Sequence, residues 1–198
     1  ALLLGSLQTQ DAQALAAVTA NTDSVIYLLP GHNEGIGNAQ LTWNKAGTRI
    51  IGIGEGPARP RFDFDHANAS IDITASGMTV QGIDLLPSVT IVGIGIDVNA
   101  AVTDTVIRDV KILKGEDGAG VDEFVVGIDI KAGCDRTLIE KCNFHQHASS
   151  TGQTHQVKLT GASDQVAIRD CWMKCVGTAA VACIGGDTTL STDILVEN

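Results

Sequence analysis

Apolar residues in this chain fall on two recurring templates. The first runs apolar, two polar, apolar, one polar, apolar, as in "VIRDVKI" (Ile107, Val110, Ile112) and "LIEKCNF" (Ile139, Cys142, Phe144). Four further copies are "RIIGIGE" (Ile50, Ile53), "TVQGIDL" (Val80, Ile83, Leu85), "AIRDCWM" (Ile168, Cys171, Met173) and "LVEN" from Val196. Their first positions lie 27 to 32 residues apart. The second template alternates strictly, in Ile71-Asp72-Ile73, Ile96-Asp97-Val98, Ile128-Asp129-Ile130 and Val157-Lys158-Leu159.

Strict alternation over a short run marks a strand with one buried face. Two adjacent polar positions between apolar ones mark a corner, with both side chains pointing outward. Between the strands lie "ASGM", "NAAVTD", "KAGCD" and "TGASD", which is turn chemistry. A unit of two short strands cannot bury its apolar face alone, whereas stacked units can. A period near thirty without a helix-length pattern excludes helical solenoids and leucine-rich repeats. The expected fold is all-β: a right-handed parallel β-helix of about six coils over residues 23–198, as one domain.

Charge tests the register. Stacked coils place equivalent residues about 4.8 Å apart, so like charges should not be neighbours in a column. The first corner position reads Gln81, Arg108, Glu140, Arg169, Glu197, and the second reads Gly82, Asp109, Lys141, Asp170, Asn198. Signs alternate down both columns and are opposite within each charged coil.

An open coil needs covers, because it exposes both core and backbone edge. "SLQTQDAQALAAVTAN" places Leu7, Ala14, Leu15 and Val18 on one helical face, with Ser6 or Thr9 to cap it and Asn21 to stop it. Residues 1–22 are therefore expected to be an arm and a capping α-helix, followed by "DSVIYLLPGHNE" as the first-coil strand. The opening "ALLLG" is too short for a secretion signal and lacks a basic flank. An Ala start is what removal of an initiator Met leaves. At the other end the pattern stops mid-coil at Asn198, so a partner subunit, another component or a further segment is expected to cover it.

Composition narrows the partners. Of 198 residues 44% are hydrophobic and only 4% aromatic, with 22 glycines, so the core must be filled by Ile, Val, Leu and Ala. Net charge is −10, and no cluster of Lys and Arg offers a phosphate-tracking surface, which argues against nucleic acid. No stretch approaches the ~20 apolar residues of a membrane-spanning helix. Five cysteines leave at least one unpaired. Cys171 and Cys175 lack the second pair that a zinc site needs. Buried free thiols are expected, with Cys142 and Cys171 stacked in one inward column.

The chemical candidates are carboxylates. Asp72, Asp97 and Asp129 fall at the central outward position of three consecutive alternating strands. Three such groups within about 10 Å can bind Ca²⁺ or supply acid and base for glycoside hydrolysis. The expectation is nevertheless a solvated ladder, with no cofactor. Lys158 is the only base in that column, aromatics to line a sugar cleft are scarce, and loops such as "KGEDGAGVDEF" and "HQHASSTGQTH" are short. His145, His147 and His155 bracket one loop without matching ligands. "GIGEG" and "VGIGI" precede no helix and are expected to be tight corners.

"TDSVIYLLPGHNE", "TRIIGIGEGPARPRFDFD" and the repeated corner template resemble the pectin-lyase-like superfamily, and in particular short β-helix proteins of tailed bacteriophages. Polygalacturonase-type Asn-Thr-Asp, Asp-Asp, Gly-His-Gly and Arg-Ile-Lys stretches do not occur, nor does the Ca²⁺-carboxylate and Arg arrangement of pectate lyases. The resemblance implies a non-enzymatic virion structural protein, a capsid decoration (cement) or spike subunit. It also implies self-association as a homotrimer and contact with the major capsid or other virion proteins, through "ALLLGSL" as anchor. The alternative it implies is a tailspike-like polysaccharide lyase or hydrolase acting on a bacterial surface glycan through Asp72, Asp97 and Asp129.

Overall fold

The computed structural model describes residues 2–4 (backbone), 23–38, 40–115, 122–146, 152–175, 182–186 and 193–197. The chain winds as an all-β parallel solenoid of about five turns. Three strands make one winding, one in each of three sheets.

Sheet A holds β1 (Leu2–Leu4), β2 (Val25–Leu28), β5 (Arg49–Gly52), β8 (Thr79–Gln81), β11 (Val106–Arg108), β14 (Leu138–Glu140), β17 (Ala167–Arg169) and β20 (Leu195–Glu197), in that order. Sheet B holds β3 (Asn33–Ile36), β6 (Arg61–Phe64), β9 (Asp84–Pro87), β12 (Lys111–Ile112), β15 (Asn143–Phe144) and β18 (Trp172–Met173). Sheet C holds β4 (Gln40–Trp43), β7 (Ser70–Ile73), β10 (Val92–Val98), β13 (Phe124–Lys131), β16 (His155–Thr160) and β19 (Ala182–Gly186). About six coils were expected; five windings separate the first strand of sheet C from the last. The capping helix expected before residue 23 lies outside the described residues. Within "ALLLGSL", expected to be an anchor, Leu2–Leu4 form a strand paired in parallel with β2.

The corner template spans two sheets. Its first apolar position is in sheet A and its last in sheet B, so Ile107 sits in β11 and Ile112 in β12. The inward ladder of sheet A runs Ile26, Ile50, Val80, Ile107, Ile139, Ile168, Val196 in register. All are buried except Val196, which is 56% exposed at the open end. Sheet C contributes Leu41, Ile71, Ile96, Ile128, Val157 and Ile184, with Trp43, Ile73, Val98, Ile130 and Leu159 two residues on. The four phenylalanines are all buried along with Trp43, so scarce aromatics serve the core. Ile53 departs from its template: the chain swings out after β5 into the 3-10 turn Gly56–Ala58, leaving that side chain 42% exposed.

The corners explain the polar pair. The second corner residue takes left-handed φ in every described coil from the third on: Gly82 (76°), Asp109 (49°), Lys141 (54°) and Asp170 (51°). Each N–H of this column donates to a carbonyl in the next coil, Asp109 to Glu140, Lys141 to Arg169 and Asp170 to Glu197, at 2.9 to 3.1 Å. Gly, Asp and Asn tolerate this conformation best, which accounts for Gly82, Asp109 and Asp170, whereas Lys141 adopts it against that preference. A second left-handed column, Gly47, Gly77, Asp104, Arg136 and Gln165, turns sheet C into sheet A. "GIGEG" behaves as expected, with Gly54 and Gly56 at positive φ. "VGIGI" does not: it lies inside β10, where a Cβ on Gly95 would come within 2.6 Å of Gly127 O. Glycine is needed there for close approach of neighbouring strands.

The charge ladder forms as expected. Arg108 and Glu140 are register partners and ion-paired, with Arg108 Nε donating to Glu140 Oε1 at 2.6 Å. Arg169 Nε lies 3.2 Å from Glu197 Oε2. The Arg169–Glu197 pair is exposed and worth at most about 1 kcal/mol, while Arg108–Glu140 is half-buried. The inward ladder carries more. Ile139→Ala should lower the urea midpoint by the equivalent of about 2–5 kcal/mol, because it opens a cavity in a fully buried column. Val196→Ala at the open end should change it by less than about 0.5 kcal/mol. Equilibrium urea denaturation followed by circular dichroism compares the two.

Candidate functional site

The expected carboxylate column exists. Asp72, Asp97 and Asp129 are consecutive register partners on the outer side of sheet C, preceded by Thr42 and followed by Lys158. It is not a solvated ladder. Asp72 is 7% and Asp129 4% exposed, and the Asp97 side chain 16%.

Burying like charges at stacking distance is unfavourable unless they are matched. The matching groups come from outward positions of the same sheet, one pleat to either side of the column. Lys131 Nζ donates to Asp129 Oδ2 at 2.6 Å and lies 3.5 Å from Asp97 Oδ1. Thr160 Oγ1 donates to Asp129 Oδ1 at 2.7 Å, and Ser70 Oγ to Asp72 Oδ1 at 2.6 Å. Asp97 is the member least well compensated. Burial pushes its carboxyl up to about 6, Lys131 pulling down and Asp129 and Asp72 pushing further up. Lys131 itself is held above its ordinary value, because its bonds to Asp129 and Asp97 outweigh desolvation, the largest single influence.

A second polar cluster sits where sheet A turns into sheet B. Arg59 leaves the outward swing after β5 and is buried beneath it. Its Nε lies 2.5 Å from Asp84 Oδ1, its Nη1 donates to Asp109 Oδ2 at 3.1 Å, and its Nη2 donates to the carbonyl of Asp109, the left-handed corner residue. One guanidinium thus ties the excursion to the two following coils. Burial raises Asp84 above the usual carboxylate range despite Arg59 and Lys111. Beside it opens a cleft of about 500 Å³ lined by Gly31, His32, Asn33, Arg61 and Leu113 among others. Buried Glu34 heads the inward column of sheet B, its Oε2 3.5 Å from His32 Nε2.

The histidine loop separates. His145 rests against the half-exposed Trp172, ring centroids 5.1 Å apart, while His155 Nδ1 is 3.1 Å from Thr154 Oγ1. His147 lies outside the described residues. Glu123 joins the two longest loops, its Oε1 accepting from Gly152 N at 2.6 Å and Gln153 N at 3.2 Å. Among the described residues no three His, Cys, Asp or Glu side chains converge to hold a metal ion. Nor, among them, is any helix long and apolar enough to cross a membrane.

Cysteines depart from expectation at one end. Cys175 and Cys183 form a disulfide. Cys134 and Cys142 are buried thiols, but Cys171 is only partly buried. The stack with Cys142 therefore reaches the surface.

The site defined by these contacts is a parallel β-solenoid face whose acidic groups are bound by cations and hydroxyls of the same chain. Set against protein families, curated proteins and solved structures, the chain matches none of them.

Two outcomes follow. Asp97 carries a folded-state pKa above its ordinary value, so its contribution to stability is complete below pH ~4 and is lost as pH rises through about 6. Asp97→Asn should therefore melt higher than the parent at pH 7.5, and the advantage should vanish by pH 4; melting curves across that range read it directly. Arg59→Ala leaves Asp84 buried without its partner and should cost about 3 kcal/mol by denaturant midpoint, partly recovered in the Arg59→Ala, Asp84→Asn double variant.

Proposed function

We propose that the protein is a non-enzymatic structural subunit of a bacteriophage particle, a capsid decoration or spike component. The supporting observation is the closure of the carboxylate column. Asp129 accepts from both Lys131 and Thr160, and Asp72 from Ser70, so the groups that would bind Ca²⁺ or attack a glycan are already engaged. A rod with charge pairs down one corner and an apolar interior is stiff and offers flanks and ends for docking. This goes with the resemblance to short phage β-helix proteins. The same reading takes the solenoid as right-handed and pectin-lyase-like, with about six coils and a helix over its first one. It places homotrimers on the virion, in contact with major capsid or other virion proteins.

Light scattering of the purified chain should give a trimer mass. Deleting residues 1–7 removes the strand laid on β2 and should abolish trimer or particle association. A monomer, or association unchanged by the deletion, contradicts the proposal.

One observation favours a glycan-cleaving enzyme instead. Asp97 is held near 6 between Asp72 and Asp129, with Lys131 beside it, a value suited to general acid–base work near neutral pH. That reading requires turnover in a reducing-end or unsaturated-uronate assay over bacterial surface polysaccharides, lost in Asp97→Ala and Asp129→Ala. The structural reading requires none.

A further inference from the structure

Two free thiols stand one above the other in the last coils. Cys142 and Cys171 occupy the same place in successive corners, after β14 and after β17, whose residues are in register. Their sulfurs repeat the same pose. Cys142 Sγ lies 3.4 Å from Glu140 O and 3.6 Å from Ile107 O of the coil before; Cys171 Sγ lies 3.2 Å from Arg169 O and 3.8 Å from Ile139 O. Trp172 N donates to Cys142 O at 2.9 Å, which fixes one corner over the other. Coils stack at about 4.8 Å, within the ~4.4–6.8 Å Cα separations that disulfides span.

Access is asymmetric. Cys142 is buried, whereas Cys171 borders an open cleft of about 410 Å³ that it lines with Trp172, Met173, Ile184, Val196 and Glu197. A small reagent in this cleft meets Cys171, whereas Cys142 does not line it. The remaining free thiol, Cys134, is buried in the turn from sheet C into sheet A, does not line this cleft, and hydrogen-bonds Asn99 O at 3.0 Å.

We propose that Cys171 is a thiol–disulfide exchange site for low-molecular-weight disulfides, with Cys142 as the resolving thiol, so that oxidation fastens the last coils together. The Cys171 thiolate attacks one sulfur of the small disulfide, forming a mixed disulfide and releasing one small thiolate. Cys142 then gives up its proton and attacks the Cys171 sulfur, forming the Cys142–Cys171 bond and releasing the second small thiolate. Two protein thiols are oxidised by two electrons, one small disulfide is reduced to two thiols, and the protein's protons pass to the leaving thiolates. A hydrogen bond with Cys142 lowers the Cys171 thiol below the usual thiol range, and that bond together with burial raises Cys142, so the exposed partner is the first nucleophile. The Cys175–Cys183 bond closes within the terminal coil; the proposed bond would tie successive coils to one another.

The test uses the full chain, folded, with oxidised glutathione as the small disulfide, followed by peptide mapping under non-reducing conditions. The wild type should yield a Cys142–Cys171 linked peptide pair while Cys134 stays unmodified, and oxidation should raise the melting temperature, reversibly with reductant. Cys142→Ser, or Cys142→Ala should the serine variant not fold, should stop at the glutathione adduct on Cys171. Cys171→Ser should leave Cys142 unmodified. Equal modification of Cys134 and Cys171, no modification of the folded chain, or a wild type that stops at the adduct would each overturn the assignment.

Discussion

Hydrogen bonding between successive windings forces residues about thirty positions apart to stand about 4.8 Å from one another, repeated along the rod. Every column must then be a sequence of groups that tolerate a near-copy of themselves above and below. Aliphatic side chains do so readily, and the inward ladders from Ile26 to Ile168 and from Leu41 to Val157 are the outcome. Charges do not, and the corner column answers with Arg108, Glu140 and Arg169 in alternation. The same spacing fixes the backbone: a corner residue at left-handed φ aims its N–H at the neighbouring coil, so corner and stacking support each other.

Three aspartates in one outward column break that rule, and the surrounding chain shows how much must be added to keep them. Lys131, Thr160 and Ser70 are drawn onto the column from neighbouring outward positions, and even so Asp97 is left partly uncompensated. Arg59 plays the corresponding part at the corner between sheets A and B, binding two carboxylates and a corner carbonyl.

What could be foreseen from the residues is what repeats. The period, the inward ladders, the Asp72–Asp97–Asp129 column and the Arg108–Glu140 pair are translations of one unit, and a pattern search finds translations. The division of the corner template between two sheets was not apparent, because strands such as Lys111–Ile112 are only two residues long and carry no alternation. Lys131 was missed because it sits two positions beyond its carboxylate, outside the aligned column. Arg59 was missed because it lies on a single excursion with no copy elsewhere. Ile53 and the "VGIGI" glycines misled for a related reason: each fits a local template whose meaning is set by the neighbouring coil. The Cys175–Cys183 bond joins the stretch just after β18 to β19 within one winding, and neither cysteine has a copy in the other coils.

The lengths of the connections have a consequence for change. From sheet B to sheet C the chain needs only a few residues in the first winding, between Ile36 and Gln40, yet uses eleven between Ile112 and Phe124 without disturbing the register on either side. Growth at that one edge leaves the ladders untouched, whereas a single residue inserted within a strand would turn inward groups outward through the coil. Descendants of such a chain can therefore diversify along one seam of the rod, acquiring new peptides there while inheriting the rest unaltered.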